Sequence, residues 1–269
     1  MLKKLIIAIS SLVLSATYAF GEKSLTAYFK NDSVNGLMIS DAYETHNMGL
    51  TYRSGDNYAG IDLGIVSPDM HLYKNQYREA NRSFGEIISL EFGHHLGAEN
   101  NIKLFGKLRG SGKFGLDRTQ EFAHRLLSLQ SVSDINQLVR MPNKLWYGVG
   151  GEYDSRSPLH QLSAEHSLKV MPYFGTDRAS VKSELEFLFP YHSVSLSSAL
   201  SLEYVLFDRI VSAKPISATP RKLIPQLSFG AAYDFGRFSI FAVDSFALPT
   251  IQKDQRIFGV LHAGITYNF

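Results

Sequence analysis

Along residues 194–206 the chain alternates: Val194, Leu196, Ser198, Leu200, Leu202, Tyr204 and Leu206 occupy one set of positions, with Ser195, Ser197, Ala199, Ser201 and Glu203 between them. The same period runs through Leu227, Phe229, Ala231, Tyr233 and Phe235, interleaved with Ser228, Gly230, Ala232 and Asp234. It recurs where Ile102, Leu104, Gly106 and Leu108 alternate with Lys103, Phe105, Lys107 and Arg109, and where Leu185, Phe187 and Phe189 alternate with Glu184, Glu186 and Leu188. A period of two puts one set of side chains on each face of a β-strand, so the chain reads as all-β. In a soluble sandwich the apolar faces share a core and the polar faces meet water. A transmembrane barrel turns the apolar face to lipid and lines its interior with small and charged side chains. Alternation alone does not separate the two.

Three further features favour the barrel. Lys3 and Lys4 precede an apolar stretch over residues 5–14 and then small residues, the layout of a secretory signal peptide over residues 1–21, with cleavage after Ala19 or Gly21. Such a stretch is too short to span a bilayer as a helix, which needs about 20 apolar residues, and no later segment reaches that length. Removing Lys3 and Lys4 from the 27 basic residues leaves 25, equal to the 25 acidic ones, which argues against a nucleic-acid partner. The second feature is the set of aromatic residues near expected strand ends: Tyr58, Trp146, Tyr147, Tyr173, Tyr191, Phe235 and Phe238. The third is the last segment, where Ile257, Gly259, Leu261, Ala263, Ile265, Tyr267 and Phe269 share one face and the chain ends on an aromatic ring. That ending resembles the assembly signal of bacterial outer-membrane barrels and implies the barrel-assembly machinery as a partner during biogenesis. About twelve segments have the roughly ten residues a tilted strand needs to cross the hydrocarbon. They lie near 24–31, 46–54, 57–66, 84–94, 101–110, 144–154, 160–170, 179–189, 194–207, 222–235, 237–247 and 256–269. The expectation is a single closed antiparallel transmembrane β-barrel over residues 22–269 in the bacterial outer membrane, because closure satisfies every backbone amide in lipid.

The period breaks between residues 110 and 144. In Thr119–Leu129, TQEFAHRLLSL, Phe122, Leu126 and Leu129 fall on one helical face, so a short helix is expected inside an extracellular loop. His124 projects to a different side from that stripe, which on spacing alone suits a surface histidine at least as well as a functional one. Oxygen-bearing side chains gather elsewhere: Lys30, Asn31 and Asp32 end the first strand, and Asp41, Tyr43, Thr45, His46 and Asn47 surround the start of the second. Such a group suits a hard cation, and it equally suits a polar turn. Lys74, Arg78 and Arg82, spaced by four in a loop, are placed to grip phosphates or simply to be solvated. The absence of cysteine removes thiol nucleophiles and cysteine-bound metals. Gly110, Gly112 and Gly115 spell the nominal dinucleotide pattern, but no βαβ unit surrounds them, and they read as flexible loop chain. His94-His95 reads as a rim pair, since adjacent strand residues face opposite sides.

The string TQEFAHRLL from Thr119 to Leu127, followed by Asn136 and Gln137, resembles the Q-x-x-A-H-R helix and following amide of the outer-membrane lipid A 3'-O-deacylases. Asn31-Asp32 matches that family's Asn-Asp pair. The segment from His46 to Leu50 resembles its D-Y-T-x-G-L turn, and Ser67-Pro68 with residues 81–84 resembles its S-P and D-R-x-F elements. The likeness covers about residues 25–150, in order. It implies a twelve-stranded barrel that hydrolyses ester-linked acyl chains of lipid A in the outer leaflet and depends on Ca²⁺. By that resemblance His124 is the general base, Gln120 belongs to the same catalytic group, and Asn31 and Asp32 hold or neighbour the metal. Asn47 stands where the family has Thr, with Thr45 two residues earlier, so either is the candidate for that substrate contact.

An ester carbonyl becomes a tetrahedral oxyanion when water attacks, so the site needs a base near neutral pKa and positive charge aimed at the oxygen. Histidine and Ca²⁺ supply these without a serine nucleophile, and no G-x-S-x-G elbow occurs. One rival is an outer-membrane phospholipase A-type barrel, whose histidine precedes its serine by two. Here His166-Ser167 and His192-Ser193 are directly adjacent. The other is a non-enzymatic structural or pore barrel.

Overall fold

A computed structural model describes residues 23–31, 43–67, 85–96, 101–115, 141–159, 164–210, 219–248 and 257–269. Within them the chain forms twelve antiparallel strands. These are β1 (Lys23–Asn31), β2 (Tyr43–Ser54), β3 (Asn57–Ser67), β4 (Gly85–Leu96), β5 (Ile102–Gly112) and β6 (Lys144–Leu159). They continue as β7 (Ala164–Gly175), β8 (Arg178–Tyr191), β9 (Val194–Asp208), β10 (Leu223–Phe235), β11 (Phe238–Ala247) and β12 (Phe258–Asn268). Each strand pairs with its sequence neighbours, and β1 pairs with β12 from Ser24↔Asn268 to Asn31↔Leu261, closing the barrel. No strand edge is left open, the condition for a sheet in lipid. The expected signal peptide over residues 1–21 and the expected helix at 119–129 lie outside the described residues.

The alternation decides the two surfaces. Leu25, Phe29, Met48, Leu50, Leu104, Leu108, Leu168, Leu200, Phe229 and Ile240 stand exposed on the outer wall. Their neighbours Lys103, Lys107, Arg109, Lys169, Lys182 and Glu186 point inward and are ion-paired there. A continuous apolar band around a cylinder with a charged interior is a lipid-facing wall; in water so large a patch would drive association. At a rise of about 3.3 Å per residue and a tilt near 45°, ten-residue strands give a wall of roughly 25 Å, the height of an outer-membrane apolar band.

The ends of the cylinder differ. Gly55-Asp56, His192-Ser193 and Gly236-Arg237 make two-residue turns at one end, with left-handed backbone at Gly55, His192 and Gly236. Lys23 and Phe269 lie at that same end, where the Phe269 N–H donates to the Lys23 carbonyl at 3.0 Å. The long connections, residues 32–42, 68–84, 113–143, 209–222 and 248–257, all leave the opposite end. Short periplasmic turns and long extracellular loops identify that end as the outer one. Among the described residues its one tight turn is Thr176-Asp177, between β7 and β8.

Several expectations are corrected. Of the aromatic residues read as interfacial, Tyr191, Phe235 and Phe238 do lie on the outer wall near the turn end, where Phe235 stacks on Phe238 with ring centroids 5.7 Å apart. Tyr58, Trp146 and Tyr173 face inward instead: Tyr58 donates to Glu91 at 2.9 Å, Tyr173 to Asp177 at 2.9 Å, and Trp146 is buried against Met141. Each sits one step off the lipid-facing set of its own strand. β7 runs to Gly175, past the expected stop at 170, because Pro172 occupies a strand position opposite Val181 without breaking the pairing. Gly110 and Gly112 belong to β5 rather than to loop chain; only Gly115, at φ +84°, follows the strand. His94 and His95 do part to opposite faces, His94 meeting Asn57 Oδ1 at 3.0 Å and His95 lying edge-on to Tyr58.

Inside, aromatic rings are laid over glycines of the adjacent strand. Tyr28 is register partner of Gly49, Tyr58 of Gly93, and Phe241 of Gly264. A Cβ added at Gly49 would stand 2.3 Å from Tyr28 Cζ, and one at Gly93 would stand 2.2 Å from Tyr58 Cε1. The ring supplies the packing that glycine lacks, and only glycine lets the ring lie flat on the wall.

Candidate functional site

The candidate residues are distributed over three consecutive outer connections. Asn31 is the last residue of β1, so the chain leaves the outer end at Asn31 and re-enters at Tyr43; Asp32 falls in that connection. Lys74, Arg78 and Arg82 fall between β3 and β4, and Gln120 and His124 between β5 and β6. Asp32, Lys74, Arg78, Arg82, Gln120 and His124 themselves lie outside the described residues. Strands β1 to β6 are successive around the ring, so all three connections open on one half of one rim. Thr45 lies in β2 where the register with β3 shifts between Tyr43 and His46, and Asn47 is the first regular inward position after it, opposite Lys30 on one side and Gly64 on the other.

The feet of the 113–143 connection are tied to the barrel. Glu86, with no exposed surface, accepts the backbone N–H of Phe114 at 2.5 Å. Ser111 Oγ donates to the Pro142 carbonyl at 2.8 Å and accepts the Lys144 N–H at 3.1 Å. Met141 is buried, packs with Trp146 and Ile210, and lies so close to Gly85 that a Cβ there would be 2.2 Å from its sulfur. Both ends of the segment that carries His124 are therefore fixed to the outer ends of β4, β5 and β6.

Below the rim the interior is a cavity of about 540 Å³ bordered by Lys30, Lys107, Arg109, Arg178, Glu203 and His262, among others. Asp177, from the tight outer turn, is fully buried and receives Arg109 Nη1 at 2.7 Å as well as Tyr173, while Arg109 Nε donates to Ser89 at 3.2 Å. Glu91 is bridged by Lys103 and Lys107 at 3.5 and 3.3 Å, and Arg178 lies between Glu203 and Asp208. Tyr28 donates to Asp62. In a low-dielectric interior these pairings offset the cost of stripping water from each charge. Among the described residues no three His, Asp or Glu side chains converge as a metal cluster.

Glu86, Asp177 and His262 escaped the sequence reading. His262 was marked only by its place on the polar face of β12, beside Val260, Gly264 and Thr266; Glu86 and Asp177 carried no signal, since each acts through a contact between distant strands.

In fold the chain is similar to LpxR from Salmonella typhimurium, with a TM-score of 0.69, 13% identity, and coverage of 91% of this chain and 100% of that one. Lower-scoring likenesses include an outer membrane channel from Pseudomonas putida F1 (TM-score 0.49, 12% identity, 93% and 96% covered) and the NanC porin (TM-score 0.46, 7% identity, 92% and 100% covered). No protein-family model matches the sequence, and no curated protein matches it. The chain is a bacterial outer-membrane β-barrel.

Proposed function

We propose that this barrel is a calcium-dependent lipid A 3'-O-deacylase, an ester hydrolase working at the outer rim on lipopolysaccharide of the outer leaflet. One observation carries the reading: the Asn31-Asp32 strand end, the Lys74, Arg78 and Arg82 connection and the Gln120 and His124 connection, far apart in sequence, all leave the same half of the same rim. An acyl ester of a lipid in the outer leaflet lies at that height, with its chain against the apolar wall and its sugar and phosphates above it.

Asn31 and Asp32 offer an amide oxygen and a carboxylate, the hard oxygen donors Ca²⁺ prefers. Bound there, the cation supplies positive charge for the developing oxyanion. His124 takes the proton from the attacking water and returns it to the departing sugar oxygen. Gln120, four positions before His124 on the expected helix, holds the carbonyl or the water. Lys74, Arg78 and Arg82 hold the phosphates, and Thr45 or Asn47 lies at the acyl side of the sugar. Fixing both feet of the 113–143 connection limits the freedom of the imidazole and so favours a defined geometry at the reacting atoms.

The test is mass spectrometry of lipid A incubated with purified barrel. Loss of the 3'-linked acyl group, dependent on Ca²⁺ and absent in His124→Ala, supports the reading. Release of fatty acid from glycerophospholipid but not lipid A moves it to the phospholipase class.

A further inference from the structure

We infer that the barrel interior holds an oxyanion-binding site, built on Lys30, Asn47 and His262 and independent of the hydrolase reading. The three share one cross-strand row just below the rim: Lys30 of β1 is the register partner of His262 on β12 and of Asn47 on β2. Directly opposed residues in antiparallel strands have Cβ atoms about 4.5–5.5 Å apart, so their inward groups converge on one volume. Lys30 and His262 border the 540 Å³ cavity; Asn47 borders a smaller one of about 60 Å³, and Arg109 and Ile210 border both.

Two of the three groups end in buried atoms without hydrogen-bond partners, Asn47 Oδ1 and His262 Nε2. Buried polar atoms are almost always satisfied, and two such orphans in one row call for a ligand. Charge identifies its class. The carboxylates at this cavity are engaged: Glu91 by Lys103 and Lys107, Glu203 and Asp208 by Arg178, Asp177 by Arg109, Asp62 by Tyr28. Among the described residues none pairs with Lys30, whose ammonium has only the Tyr28 ring at 5.8 Å. An ammonium in such an interior needs an anion. An oxyanion accepts from Lys30, from a His262 Nε2–H tautomer and from the Asn47 amide turned to present its NH₂.

The imidazole is also held ready. Its ring stands edge-on to Tyr28 and to Phe241, each 5.1 Å away at 78° and 81°. Tyr28 and Phe241 are in turn laid on Gly49 and Gly264. The framework that fixes His262 is thus part of the barrel wall, and binding pays little to order it.

The ligand class is a phosphate group, either free or on a lipid. The full-length barrel, in zwitterionic detergent at constant ionic strength, is titrated by calorimetry with inorganic phosphate and, in a second arm, with dodecyl phosphate; heat-modifiable gel migration verifies that each variant is folded. Saturable binding is expected, weakened at least tenfold in Lys30→Met and in His262→Phe, and retained in Lys30→Arg. Binding of dodecyl phosphate alone assigns the site to a lipid-borne group, and equal binding of inorganic phosphate assigns it to a free anion; both support the site. Absence of saturable binding in both arms, or wild-type affinity in folded Lys30→Met and His262→Phe, overturns it.

Discussion

The Glu86 carboxylate, wholly buried at the outer end of β4, accepts the backbone N–H of Phe114, the second residue after β5 ends. A strand residue thereby holds the first foot of the segment that carries His124. Glu86→Ala leaves a buried N–H without its acceptor, a loss of about 1–3 kcal/mol concentrated at that foot. Lipid A deacylation should fall at least tenfold while the barrel still folds, and Glu86→Gln, whose amide oxygen still accepts, should recover most of it. Acyl release measured beside heat-modifiable migration separates the two effects; unchanged turnover in Glu86→Ala would remove the foot from the mechanism.

His124→Ala should lower deacylation by about 10²–10⁴-fold, the usual contribution of a general base, with no change in barrel stability. Full activity in the purified variant would rule out His124 as the base.

Chelation with EGTA should abolish deacylation and added Ca²⁺ should restore it. Asp32→Ala should raise the Ca²⁺ concentration needed for half activity, because one carboxylate ligand of a hard cation is gone. Activity indifferent to both treatments would leave the Asn31-Asp32 corner without a metal role.

Glycines under rings should resist substitution, and glycines on the open wall should not. Gly93→Ala puts a methyl into the Tyr58 ring and should cost about 1–3 kcal/mol, as overpacking does. Gly106→Ala meets nothing within 4 Å and should be neutral. Urea unfolding followed by gel migration measures both, and a second change, Tyr58→Ala, should relieve the first.

A charge on the lipid wall should be costly in proportion to its depth. Leu200→Arg, on the exposed outer set of β9, should destabilise the barrel by up to about 2–4 kcal/mol, whereas Ser197→Arg, opposite Gly230 on the inner set, should cost less. The same unfolding measurement decides between them, and equal losses would contradict the assignment of faces.

Much of this architecture could be read from residue order alone. Period-two alternation placed Leu200 and Phe229 outside and Lys107 and Arg109 inside, because a pleated strand forces neighbours to opposite faces. It also separated twelve strands, although the seventh was expected to end at 170 and its pairing runs on through Pro172 to Gly175. The rim candidates were found through motif order, but nothing in the chain said that Asn31, Arg82 and His124 belong to neighbouring connections on one half of one end; strand number and closure decide that.

What depended on register stayed hidden. Tyr28 over Gly49, Glu86 under Phe114, and Lys30 between His262 and Asn47 are relations between residues tens to hundreds of positions apart. Alternation says which way each side chain points, and it is silent on which partner it meets. That is decided only when β1 closes on β12 and each strand locks against the next, since a shift of a single residue would keep the composition of every strand and exchange its two faces.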